Sequence, residues 1–261
     1  MVAATVMFGE QLLESPQHGT GEMGDSQMKV SIVVPTYNER ENVALLCEGL
    51  KKALDGQWDY EVIFVDDRSP DGTGDVVRGL AATDSQIKLL ERPGKQGLGS
   101  AIVEGFHKAS GDYWVMMDAD LSHRPEDLPK LLQGLVNADI VIGSRWVPGG
   151  GVRNWPLYRR LVSRVASLVG RVLVGIPVSD LTSGFAAVRG GTLAPLLPDL
   201  NPRGFKLLLE VLAKASGAHV AEVPIIFVNR RRGKSKFSGI EALNFLSLCL
   251  ELRRCRKGTQ E

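Results

Sequence analysis

Two aspartates flank one small residue in Met117-Asp118-Ala119-Asp120, directly behind the apolar run that starts at Tyr113. Carboxylates so spaced can share one divalent cation. Hard oxygen ligands suit Mg2+ or Mn2+, which usually retain waters and bridge to substrate phosphates. A bare D-x-D also occurs as a solvated acidic turn or a helix cap. This one stands out by its place after a buried run and before Leu121-Ser122-His123-Arg124-Pro125; His123 reads as a loop residue rather than a ligand. A second acidic pair, Asp66-Asp67, ends the run Tyr60–Val65. One member can cap the helix that follows, and Asp67 can accept hydrogen bonds from a base or ribose. Pro35-Thr36-Tyr37-Asn38-Glu39 closes a third run. An aromatic ring and a carboxylate there can stack on a base and hold a ribose.

Cations follow the acids along the chain. Arg145 comes after Gly143-Ser144, and a guanidinium at a strand end suits bidentate phosphate recognition. Arg159 and Ser163 are four apart, hence on one helix face, where they can grip a second phosphate. Arg230 and Lys236 bracket a run with five cations in seven positions. Such a run is most often a solvated or membrane-facing surface, and it can also close over a pyrophosphate. The glycine loop Gly94–Gly99 lacks the Gly-Lys-Ser/Thr order of a P-loop and does not follow the first strand. Helix–sheet packing is its better reading.

These residues need a scaffold, and the pattern predicts one. Short β-branched runs at 29–35, 60–65, 87–91, 113–117 and 140–143 alternate with apolar-periodic helices at about 41–54, 75–82, 99–109 and from Pro125. That alternation predicts an α/β chain with a mostly parallel central sheet and helices on both faces. Ligands in such sheets bind at the carboxyl ends of strands, where the acidic clusters fall. The second half reads as helices at 156–174 and 205–216, a strand at 220–228 broken by Pro224, and a strongly apolar final helix from about Gly239 to Leu252 with basic residues after it.

Composition sets the outer bounds. Of 261 residues, 44% are hydrophobic and 23% charged, which excludes wholesale disorder and a disulfide scaffold. No stretch approaches about 20 uninterrupted apolar residues, which excludes a conventional membrane-spanning helix. With 31 Lys and Arg against 30 Asp and Glu, the net charge of +1 does not suggest a nucleic-acid binder. Three scattered cysteines suit a reducing compartment. Residues 1–28, without a basic start or long apolar core, read as a flexible leader rather than a signal peptide. Residues 29–238 then form the catalytic domain, and 239–261 an amphipathic helix with a basic tail.

Taken in order, the clusters resemble the family-2 glycosyltransferases of the GT-A (nucleotide-diphospho-sugar transferase) fold, and within them the branch that acts on dolichyl phosphate. The stretches are Val34–Asn42, Val65–Thr73, Met117–His123, Gly143-Ser144-Arg145, Asp180–Phe185, Gly204-Phe205-Lys206 with Leu209-Glu210, Glu222–Ile225 with Phe227, and Gly233–Lys236. The resemblance implies transfer of mannose from GDP-mannose to dolichyl or another polyprenyl phosphate, with inversion. It assigns Pro35, Tyr37, Glu39, Val65 and Asp67 to the guanosine. Asp118, Ala119 and Asp120 fall to the metal and diphosphate, and Mg2+ or Mn2+ is the implied cofactor. Arg145, Arg230 and Lys236 are assigned to donor phosphates, and Arg159 with Ser163 to the lipid phosphate. A lipid acceptor implies a peripheral place on the cytoplasmic side of a membrane, with small membrane subunits as partners in some relatives. The chain departs from the family where Arg68 replaces a usual Gly and Ala186 a frequent Arg.

Overall fold

The structure, a computed structural model, describes residues 6–8, 28–201, 206–229 and 239–258. Its strands are β1 (Val6–Phe8), β2 (Lys29–Thr36), β3 (Asp59–Asp66), β4 (Ile87–Glu91), β5 (Tyr113–Met116), β6 (Ile140–Ser144), β7 (Gly151–Arg153), β8 (Ala186–Arg189), β9 (Val220–Pro224) and β10 (Ile226–Val228). Between them lie α1 (Arg40–Leu54), α2 (Thr73–Ala81), α3 (Leu98–Phe106), α4 (Leu128–Gly134), α5 (Leu157–Val174), α6 (Gly190–Leu193), α7 (Leu207–Lys214) and α8 (Gly239–Gly258). Short 3-10 turns cover Pro125–Asp127 and Ala194–Asp199.

One sheet runs β1-β9-β6-β8-β5-β2-β3-β4, parallel throughout except for β8, and β7 pairs with β10 in a small second ribbon. Strand β2 shows why its sequence reads as a nearly continuous apolar run. Ile32 and Val34 enter the core on one face and Val33 the core on the other, beside Val62, Phe64 and Ile63 of β3 in register. A strand covered on both sides is apolar at nearly every position, and Ser31, the polar residue in the middle of β2, is buried with its hydroxyl on Glu61 of β3. On the first face α1 adds Val43, Leu46, Leu50 and Leu54 at helical spacing. On the second, α3 comes so close that a Cβ on Gly105 would sit 2.3 Å from a Val33 methyl carbon.

Four features refine or change the sequence reading. Strand β8 is four residues long with two alanines, too short and too plain to read from sequence. It runs antiparallel between β5 and β6, so its start lies at the same sheet edge as the carboxyl ends of the others. Pro224 ends β9 and β10 then leaves for the small ribbon, so 220–228 is two strands. Val6–Phe8, inside the stretch read as a leader, pairs with Val220–Glu222 of β9; the rest of 1–27 lies outside the described residues. Helix α8 is not amphipathic in the simple sense. Phe245, Cys249 and Leu252 join the core shared with α5 and α7, while Leu243, Leu246 and Leu250 face outward.

Candidate active site

Three successive strand ends each turn through a non-glycine residue in the left-handed region: Asn38 at φ 61 after β2, Arg68 at 54 after β3, and Leu121 at 59 after β5. For non-glycine residues this region costs roughly 1 kcal/mol or more, and such strain concentrates at functional sites. It also accounts for the usual glycine at the position of Arg68, whose side chain is exposed.

At the β2–β3 end, Asp66 is structural. Its Oδ1 accepts from the hydroxyls of Thr36 (2.8 Å) and Ser69 (2.6 Å), and its Oδ2 from the Ser69 amide (2.8 Å). Asp67 is buried beside Arg92, whose Nε donates to Oδ1 at 2.6 Å, while Oδ2 accepts the amides of Gln96 (3.0 Å) and Gly97 (3.2 Å). Tyr37 is half-exposed, with the Lys95 ammonium 4.1 Å from its ring centroid. Glu39 takes the Asn42 amide on Oε2 at 2.6 Å. Pro35 and Val65 face each other in register; the Val65 side chain is fully buried in the core, so only its backbone can line a pocket.

The Asp118–His123 turn is held from within and from two neighbouring elements. The Asp118 amide donates to His123 Nδ1 at 3.1 Å and the Ser122 amide to Asp120 Oδ1 at 3.0 Å. A His123 nitrogen that accepts leaves its proton on Nε2. The His123 ring stacks on Phe185 and meets Phe227 edge-on, with centroids 5.1 and 5.2 Å away. Val228 of β10 donates its amide to the Ser122 carbonyl. Asp120 is buried, and the Asp118 side chain is 21% exposed. A Cβ on Gly184 would lie 3.6 and 3.7 Å from the two Asp118 carboxylate oxygens, so the bare glycine leaves that carboxylate approachable. Among the described residues no group of three His, Cys, Asp or Glu side chains could hold a metal. A dication here would therefore take the aspartate pair and fill its shell with phosphate and water, the habit of Mg2+ and Mn2+ at nucleotide sites.

Arg145 differs most from its sequence reading. It is buried and bidentate on Asp180, with Nε to Oδ2 and Nη2 to Oδ1 both at 2.7 Å, and Nη2 also reaches Thr182 Oγ1 at 2.9 Å. The Arg145 amide donates to Asp180 Oδ2 as well. Asp180 is itself seated by Glu222 of β9, which accepts the amides of Ser179 and Asp180. Arg145 is thus a neutralised clamp between β6 and the Asp180–Gly184 loop, packed among Trp146, Trp155 and Phe227. Arg159 and Ser163 do share a face of α5, as their spacing predicts. Arg159 lies 4.0 Å over the Trp155 ring and donates to Asn229 Oδ1, while Ser163 Oγ lies 3.3 Å from Thr182 Oγ1.

The structure thus gathers Pro35, Tyr37, Glu39, Val65, Asp67, Asp118, Ala119, Asp120, Arg145, Arg159 and Ser163 along one sheet edge and the α5 face beside it. Arg230 and Lys236 lie outside the described residues. Sequence reasoning missed Arg92, Asp180, Thr182 and Asn229 as neighbours of the site; Arg92 follows β4, and that strand-end position was the available clue. Ala186 sits in the sheet core opposite Met116 and Ile142, where an Arg would find no water.

A mostly parallel sheet covered by helices, with an acidic turn after β5 and an antiparallel strand inserted beside it, defines a nucleotide-diphospho-sugar transferase of the GT-A type. The profile of glycosyl transferase family 2 matches residues 31–193. A dolichol-phosphate mannosyltransferase of Pyrococcus furiosus is 45% identical over 224 residues, covering 84% of this chain and 62% of its own. The chain therefore spans less than two thirds of that relative. An undecaprenyl-phosphate mannosyltransferase of Micrococcus luteus is 41% identical over 218 residues, covering 81% and 88%. The solved mannosyltransferase of Pyrobaculum calidifontis, in complex with GDP-Man and Mn2+, shares the fold with a TM-score of 0.60 at 18% identity, covering 97% of this chain and 70% of that one. The chain belongs to glycosyl transferase family 2 and is a glycosyltransferase.

Proposed function

We propose that the chain transfers mannose from GDP-mannose to a polyprenyl monophosphate such as dolichyl phosphate, with Mg2+ or Mn2+ at Asp118 and Asp120, on the cytoplasmic side of a membrane. One observation carries the reading. The chemistry-bearing groups follow the strand order: Asp67 on β3, Tyr37 on β2, the aspartate pair on β5, Gly184 on β8 and Arg145 on β6. Four strand spacings of about 4.8 Å give roughly 19 Å. That is room for a nucleoside, a diphosphate and a sugar laid in line across the edge, with Arg159 and Ser163 beyond them for the acceptor.

The acceptor supplies its own nucleophile. A phosphate monoester has a second pKa near ~6, so its oxygen is largely ionised at neutral pH and no protein base is required. The residues then have two tasks, alignment and charge neutralisation. A bound dication would neutralise the departing diphosphate. Arg159 and Ser163 hold the incoming phosphate. The indole N–H groups of Trp146 and Trp155, buried beside Arg145 without a hydrogen-bond partner among the described residues, are donors that an anion would satisfy. In-line attack inverts the anomeric carbon and yields a β-linked mannosyl phosphate from an α-linked donor.

A lipid acceptor asks for a membrane-facing surface, and the exposed apolar stripe of α5 supports that reading. Leu157, Leu161, Val165, Leu168 and Val172 form a stripe at helical spacing, 48–79% exposed. Leu243, Leu246 and Leu250 of α8, which packs on α5, add to the exposed apolar surface. No described helix is long and apolar enough to cross a membrane, so this surface suits interfacial contact. The test incubates purified chain with radiolabelled GDP-mannose or UDP-glucose, dolichyl phosphate and Mn2+. Organic-phase label from GDP-mannose supports the reading. Label from UDP-glucose alone would assign a different donor, and label from neither would overturn the reaction.

A further inference from the structure

The two residues with the clearest fitness for a nucleoside, Asp67 and Tyr37, are both engaged by one segment of the chain, Arg92–Gly97. Arg92 anchors it. Its buried guanidinium donates from Nε to Asp67 Oδ1, with Nη2 in ion-pair contact with the same oxygen, from Nη2 to the Gly97 carbonyl, and from Nη1 to Ser100 Oγ and Glu104 Oε2. Its amide is tied to the Asp66 carbonyl. The amides of Gln96 and Gly97 occupy Asp67 Oδ2. Asp67 thus turns Oδ1 to Arg92 and Oδ2 to these two amides. Above it, Lys95 covers the Tyr37 ring at 4.1 Å, where a base would stack. The tip between these contacts is exposed and glycine-flanked, and Gly97 stands at φ 102, in the region that favours glycine.

We propose that the Pro93–Gly97 tip is a self-ligand of the nucleoside subsite. In the free chain the Gln96 and Gly97 amides and the Lys95 ammonium hold the places that a base takes. An incoming nucleobase with ring and exocyclic N–H donors displaces the two amides from Asp67 Oδ2, and its ring displaces Lys95 from Tyr37. Arg92 stays in place as a positioning residue that keeps Asp67 aimed. The arrangement favours a base whose edge offers two adjacent N–H donors, as guanine does, because it replaces both amides at once; a base with one donor leaves an acceptor position unfilled. The inference deepens the donor reading given above and rests on it.

Hydrogen–deuterium exchange of the full chain tests it. With saturating GDP and Mn2+, the Gln96 and Gly97 amides should exchange about tenfold faster or more than in the free chain, while the Asp118–His123 turn slows. Pyrophosphate and Mn2+, which lack a base, should slow the turn and leave Gln96 and Gly97 unchanged. If GDP binds and those two amides exchange at the free rate or more slowly, the self-ligand is refuted and the donor reading stands. If GDP does not bind at all, the donor reading falls and takes the inference with it. A Lys95→Ala chain should bind GDP two- to fivefold more tightly, because a competitor is gone; weaker binding would overturn the displacement of Lys95.

Discussion

Replacing Asp180 with Ala isolates the clamp that fixes the acceptor end of the site. Arg145 gives Asp180 three donors, Nε, Nη2 and its own amide, and the carboxylate is fully buried. Removing it strands a guanidinium that is 6% exposed. Breaking a buried pair from one side costs about 3–5 kcal/mol, because the remaining charge has lost its partner. At a urea m-value of about 2–3 kcal/mol/M, the unfolding midpoint should fall by about 1–2.5 M. The companion double variant, Asp180→Leu with Arg145→Met, removes both charges of the pair and should recover most of that loss. Mannosyl transfer should drop in both, since each loosens the Asp180–Gly184 loop against Asp118. The assay pairs urea denaturation with organic-phase radiolabel counting. A single variant within about 1 kcal/mol of wild type would refute the reasoning, for it would mean that Arg145 does not depend on Asp180.

Three further outcomes are expected. Arg159→Ala should raise the KM for polyprenyl phosphate about tenfold or more, the scale of a lost charge-assisted hydrogen bond, and leave the KM for GDP-mannose near wild type; a change confined to the donor would reassign Arg159. Burial alone would raise the carboxyl of Glu61, but hydrogen bonds from Lys88, Ser31 and Ser110 outweigh it and pull its pKa down to about 2. Its contribution to stability is therefore complete above the ordinary Glu value near ~4.3 and fades as pH falls towards the folded-state value; Glu61→Gln should lose stability at pH 7 and show a flatter decline in denaturation midpoint between about pH 5 and pH 2 than wild type. Leu161→Asp with Leu168→Asp, both on the exposed face of α5, should reduce sedimentation with anionic lipid vesicles several-fold while the circular dichroism spectrum is unchanged; undiminished binding would remove α5 from the membrane contact.

The legible parts of this molecule are those where local pattern and tertiary demand coincide. Strands β2, β3, β5 and β6 are covered on both faces, so their sequences had to be nearly continuous apolar runs, with Ser31 and Glu61 tolerated because they bond each other. The acids placed after β3 and β5 were readable because strand ends in such a sheet share one edge. What the sequence hid depends on distant partners. Asp67 meets Arg92 from 25 residues away and Arg145 meets Asp180 from 35 away, so whether each side chain is exposed or committed is decided only by the fold. Strands β7 and β8 are three and four residues long, below the length at which periodicity says anything. The exposed side of helix α8 mixes Leu243, Leu246 and Leu250 with Asn244, Ser247 and Glu251, so periodicity could not tell core from surface.

The central claim is that Asp118 and Asp120 hold a dication against the donor diphosphate. Crystals grown with GDP and Mn2+, measured at the manganese absorption edge, test it most directly. The account predicts one anomalous peak within coordination distance of both carboxylates and of the GDP phosphates. A peak elsewhere, or bound GDP with no peak beside the pair, would contradict it.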